Sequence, residues 1–181
     1  MPIINEQMGI LPFYDGGITI SPFSKECLAM MPSTLAAPSS AVYPNANRAI
    51  AFPFRIGAPL LVQVMWTFNG GAVAGNVDVG IYDYGFRLLV SSGGAVAQAG
   101  INQIQTYNVT DTLLGPGVYY LAISESSAAS TFFRYAQSWY FLGLMGVTHM
   151  AAANPLPAIF VPSLAGYSYQ PMFGLCARSF V

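Results

Sequence analysis

The sequence predicts an all-β protein, an antiparallel β-sandwich approached through an extended N-terminal arm. Three observations carry this. Apolar residues recur at every second position, most plainly at Val77, Val79 and Ile81, with Asn76, Asp78 and Gly80 between them; that is the period of a strand with one buried face. The runs are separated by turn chemistry at Asp83-Tyr84-Gly85, Ser92-Gly93-Gly94 and Leu114-Gly115-Pro116-Gly117, where Asp bonds its own backbone and Gly accepts positive φ. No helical period competes between Asn76 and Ser124, so a sandwich is the natural architecture.

Residues 1–47 form the predicted arm. Pro recurs at positions 2, 12, 22, 32, 38 and 44, and each proline fixes φ and removes a donor, which forbids long strands or helices. The stretch is nevertheless too apolar for a disordered linker, so it is expected to lie across a surface, its own or a neighbour's. Residues 48–181 form the sandwich domain. Arg48–Ile56 is read as its first strand, with Pro53 at an edge or bulge. Leu60–Phe68 is the second, and its Val62, Val64, Trp66 and Phe68 face is assigned to the core. Asn69-Gly70-Gly71 turns the chain into the strand that starts at Asn76 and carries Val77, Val79 and Ile81, up to the Asp83-Tyr84-Gly85 turn. Phe86–Ser92, Ile101–Val109 and Val118–Ser124 follow as strands. Glu125–Ser130 reads as a polar loop, Thr131–Leu144 as a β-favouring aromatic run, and Tyr167–Val181 as a closing strand. Near 145–165 an irregular, uncharged excursion leaves the sandwich.

The chain of 181 residues is 54% hydrophobic and only 7% charged, against about 25% charged in ordinary soluble domains. Surface covered by sister copies or partners explains this better than an uncharged polar coat. A net charge of −1, one lysine and scattered arginines at positions 48, 55, 87, 134 and 178 argue against nucleic acid. The most apolar segment, Trp139–Val161, is broken by His149, Asn154, Pro155 and Pro157, which argues against a membrane span. The N-terminus lacks the basic and apolar regions of a secretory signal. Cys27 and Cys176 are expected to be buried free thiols, a disulfide between them being the alternative.

Chemistry is sparse. His149 is the only histidine and has no ligand partner at metal spacing. Asp78 and Asp83 differ by an odd number, face opposite sides of a regular strand, and are read as surface and turn residues. A calcium site through Asp78, Asp83 or Asp111 would need more converging oxygens than the sequence gathers. No nucleophile elbow or phosphate loop occurs. No enzyme, cofactor or metal is expected.

Several runs, Pro32-Ser33-Thr34-Leu35-Ala36-Ala37-Pro38, Tyr43-Pro44 through Asn47-Arg48-Ala49, Asn69-Gly70, Gly75–Asp83 and Leu114–Ala122, resemble a family of tailed-bacteriophage accessory structural proteins with a jelly-roll-like β-sandwich. The resemblance spans residues 32–124. It implies a non-enzymatic virion protein, a capsid decoration (cement) or tail-associated subunit, folded in the host cytoplasm and carried on the virion. Its expected partners are its own copies, a trimer being favoured, and other virion proteins. Contacts are expected from the arm (Ile3, Ile10, Leu11, Phe13, Ile18 and Ile20) and from the excursion (Met145, Val147, His149, Met150, Ile159 and Phe160). The alternative is a carbohydrate- or receptor-binding module on the particle surface that contacts glycan through Tyr82, Tyr84 and Trp139.

Overall fold

The computed structural model describes residues 38–136, 138–151, 153–164, 166 and 168–180, with the backbone alone for 18–20, 27–30 and the ends of two later strands. Its strands in chain order are β1 (Ile18–Ile20), β2 (Cys27–Met30), β3 (Ser39–Val42), β4 (Arg48–Ile56), β5 (Leu60–Phe68), β6 (Asn76–Asp83), β7 (Leu88–Ser91) and β8 (Val96–Ala97). β9 (Ile104–Leu114), β10 (Gly117–Glu125) and β11 (Thr131–Tyr135) precede a short helix, α1 (Trp139–Leu144). β12 (Thr148–Met150), β13 (Ser163–Leu164), β14 (Gln170–Pro171) and β15 (Phe173–Phe180) complete the chain.

The pairings are antiparallel and make three sheets. One runs β1-β2-β15-β5-β9, a second β13-β12-β4-β10-β6-β7 with β8 also on β6, and a third β14-β11-β3. The expected all-β sandwich is what the chain forms. β1 and β2 extend the chain's own five-stranded sheet, and β3 pairs with its own β11. Residues 1–17, 21–26 and 31–37 of the arm lie outside the described residues.

The core fills the space between the two large sheets. Ile50, Phe52, Phe54 and Ile56 of β4, Val77, Val79 and Ile81 of β6, and Leu121 and Ile123 of β10 meet Leu60, Val62 and Met65 of β5, Tyr107 and Leu114 of β9, and Phe173 and Leu175 of β15. Every second residue points inward, as the strand period requires. Pro53 sits where β4 has outrun β12, whose last described partner on that side is Ala51; its missing donor falls where β4 is locally an edge.

Five details differ from expectation. In β5 the inward residues are Leu60 and Val62, then Met65 and Thr67. Irregularities at Gln63 in both of its pairings reverse the phase, so Val64, Trp66 and Phe68 lie half-buried on the outer face. Residues 139–144 are helical. The helix ends in a Schellman motif: Val147 N–H donates to Leu142 O, Gly146 N–H to Gly143 O, both at 3.0 Å, and Gly146 takes φ +78°. Glu125 closes β10 and is fully buried, because in register it shares the inward row with Arg48 and Val77. Asp78 is also fully buried, for a reason given below. Finally, Cys176 is disulfide-bonded. The chain's other cysteine, Cys27, is its register partner across β2 and β15, and antiparallel pairing has closed a sequence gap that made free thiols look natural.

The excursion forms a layer on the chain's own seven-stranded sheet. The outer face of that sheet is a floor of small residues: Ala49 and Ala51 on β4, Gly80 on β6, Ala122 on β10. Ala153, Leu156 and Phe160 pack onto it with Tyr82. The approach is so close that a Cβ on Gly80 would stand 2.8 Å from Leu156 Cδ1. Backbone bonds from Ala153 N to Asn47 O, Leu88 N to Ala158 O and Phe160 N to Phe86 O fasten the layer.

Candidate functional site

The buried ionisable groups come first, since chemistry would start with them. Glu125 Oε1 accepts from the Ser127 N–H at 3.0 Å. Burial pushes its carboxyl up to about 7, against the lowering effect of the Ser127 and other hydrogen bonds. His149 is fully buried, and its Nδ1 accepts from the Gly166 N–H at 3.4 Å. Burial, aided by the charge of Arg48, lowers it to about 4. Tyr43 lies near Glu125, with its hydroxyl set between the Arg48 and Ile123 carbonyl oxygens, at 2.7 and 3.0 Å. Burial first, then Tyr169 and Glu125, raise its pKa well above the ordinary value. Inside the fold Glu125 therefore holds its proton below about pH 7, and His149 is neutral above about pH 4.

Asp78 belongs to the outer layer. Its Oδ1 accepts from Ser92 Oγ and Gly93 N, each at 3.0 Å, and its Oδ2 from Leu156 N at 2.9 Å. One carboxylate therefore ties β6, the turn after β7 and the excursion. Asp83 fills its expected place in a turn, accepting from Arg87 N at 2.9 Å. Among the described residues no group of three His, Cys, Asp or Glu could hold a metal ion, and no helix is long and apolar enough to cross a membrane. A further polar knot, invisible in the sequence, centres on buried Asn69. Its Oδ1 accepts from Thr67 Oγ1, and its Nδ2 donates to Ala99 O and Gln105 Oε1.

The structure scatters the predicted contact residues. Ile3, Ile10, Leu11 and Phe13 lie outside the described residues, and of Ile18 and Ile20 only the backbone is described. Val147, His149 and Phe160 are buried within the chain and have no surface to offer. Met145 and Met150 are half-buried, packed against the two core clusters. Ile159 is 62% exposed. Of the glycan candidates, Tyr82 is buried and its hydroxyl donates to Pro157 O at 2.8 Å. Tyr84 and Trp139 are exposed, one on the β6–β7 turn and the other opening α1.

What the sequence reading missed is the display on α1. Only Leu142 is buried; Trp139, Tyr140, Phe141 and Leu144 are exposed, Leu144 at 72%. Ile159 and Val161 add two more exposed apolar side chains from the excursion. Residues 135–177, which contain all of these, hold no Asp, Glu, Lys or Arg. The Leu142, Gly146 and Val147 spacing of the helix stop was the signal that would have found α1.

No protein-family model matches the chain, no curated protein matches it, and no solved structure matches it.

Proposed function

We propose that this chain is a non-enzymatic structural subunit of a virion, an accessory capsid or tail-associated protein, that assembles with its own copies through apolar surface. The observation that carries the reading is α1: four large apolar side chains exposed on six residues, in a 43-residue stretch without a formal charge. Isolated exposed apolar residues are ordinary, but a cluster of this kind marks an interaction site. A sister copy is the occupant that fits. A face without charge meets itself without like-charge repulsion or buried unpaired ions, and covering each large side chain contributes roughly 1.5–3 kcal/mol. The resemblance of residues 32–124 to tailed-phage accessory proteins supplies the virion setting.

The test is on particles. Quantitative mass spectrometry of purified virions encoding this chain is expected to find it in many copies per particle, retained through a wash in molar salt because the contact is apolar. Absence from the particle, or release by salt alone, would contradict the reading.

A further inference from the structure

We propose that the outer face of the five-stranded sheet carries a carbohydrate-binding cleft, sized for one sugar ring, where β5 and β9 fall out of register. This site is independent of α1 and involves none of Tyr82, Tyr84 and Trp139.

The register passes from Val62 opposite Thr112 to Val64 opposite Asn108. Gln63 alone therefore faces residues 109–111, and the mismatch opens a cleft of about 190 Å³ lined by Gln63, Val64, Asn108, Val109 and Asp111. At about 30 Å³ per water this is the space of roughly six waters, the scale of one six-membered ring and smaller than a drug-sized pocket.

Its polar groups are arranged for hydroxyls. Gln63 Nε2 donates to Asp111 Oδ2 at 2.8 Å, which fixes both side chains. Gln63 Oε1 is then buried and has no hydrogen-bond partner among the described residues. That atom has no exposed surface, so ligand hydroxyls would meet the Asp111 and Asn108 groups rather than Oε1. The Asp111 carboxylate retains acceptor capacity beyond the Gln63 bond, and the exposed Asn108 amide offers donors and an acceptor. Neighbouring hydroxyls of a sugar both donate and accept, and match this set.

The apolar part lies one step along the sheet. Val64 and Trp66 project from the same face, two residues and about 7 Å apart. Trp66 has Thr106 as its cross-strand partner on β9 and Gly174, without a side chain, on β15, and is half-buried. The electron-rich face of an indole attracts the C–H groups of a sugar ring. Asp111 is the only charged residue of β5 and β9, so the cleft disfavours an anionic ligand.

The test is saturation-transfer NMR on the full chain. The probes are the methyl glycosides of glucose, galactose, mannose, rhamnose, N-acetylglucosamine and N-acetylgalactosamine at millimolar concentration. Transfer to at least one is expected, with affinity reduced tenfold or more in Asn108→Ala and Asp111→Ala. Both are surface substitutions whose folding is checked by an unchanged thermal midpoint, and Asp111→Asn provides a second, isosteric variant. Silence across the six probes, or equal binding by wild type and all three variants, would overturn the proposal. Light scattering of the same variants is expected to give the wild-type mass, so a failed cleft leaves the assembly reading intact and a failed assembly leaves the cleft intact.

Discussion

Asp78 joins three pieces of chain that are far apart in sequence, through bonds from Ser92, Gly93 and Leu156. Removing one partner of a buried bond leaves the others unsatisfied at about 1–3 kcal/mol each. Asp78→Ala is therefore expected to lower unfolding stability by about 3 kcal/mol in a urea titration; a loss under 1 kcal/mol would show that water replaces the carboxylate. Its burial was not legible from alternation, which correctly put Asp78 on the face opposite Val77 and Val79. What went unread was the smallness of that face, with Ala51, Ala122 and Gly80 in one cross-strand row and Ala49 in the next, a sign that another layer lies upon it. Glu125 and His149 make a second prediction. A carboxyl at about 7 in the fold and 4.5 as its ordinary value gives the folded state the extra proton between those limits, so its contribution is full below 4.5 and is lost as pH rises through 7. An imidazole at about 4 against 6.5 gives the unfolded state the extra proton, so its contribution is present above 6.5 and is lost as pH falls through 4. From pH 4.5 to 6.5 the two slopes oppose and cancel. Chemical denaturation is expected to show that Glu125→Gln steepens the loss of stability on acidification from pH 6.5 to 4, and that His149→Gln steepens the loss on alkalinisation from 4.5 to 7. Parallel pH profiles for wild type and both variants would contradict this.

At the scale of elements, β4 and β5 begin and end where their apolar runs and flanking turns place them, while β6 runs on through Asp83, which the sequence reading gave to the following turn. The inward face of β5 was not readable. Leu61, Val64, Met65, Trp66 and Phe68 are apolar on both faces, so nothing in the pattern reveals that Gln63 reverses the phase. The helix was hidden in a different way, since Trp139, Tyr140 and Phe141 have the composition of a strand. What makes them helical is the stop: Leu142 and Val147 share the core cluster while Gly146 turns left-handed between them. Gly146→Ala puts a Cβ on a residue at φ +78° and is expected to destabilise the protein by about 1–2 kcal/mol. Equal thermal midpoints for the two proteins would mean the cap does not hold the helix in place.

For the whole molecule, the sequence revealed the fold class and the shortage of charge, and the structure locates where that shortage is displayed. The excursion, read from sequence as a contact surface, is largely spent on the chain's own sheet through Ala153, Leu156 and Phe160. Among the described residues of this uncharged stretch, Trp139, Tyr140, Phe141 and Leu144 of α1, with Ile159 and Val161, stay exposed. Composition reports how much apolar surface a chain must hide, but only three-dimensional packing tells which part the chain hides from itself. The most direct measurement of the proposed assembly is multi-angle light scattering after size exclusion, on the full chain at tens of micromolar and on its Trp139→Glu/Leu144→Glu double variant. Both positions are exposed, so the variant is expected to fold. The account predicts a discrete oligomer for the wild type, a trimer by resemblance, and a monomer for the variant. A wild type that stays monomeric, or a variant that retains the wild-type mass, would contradict it.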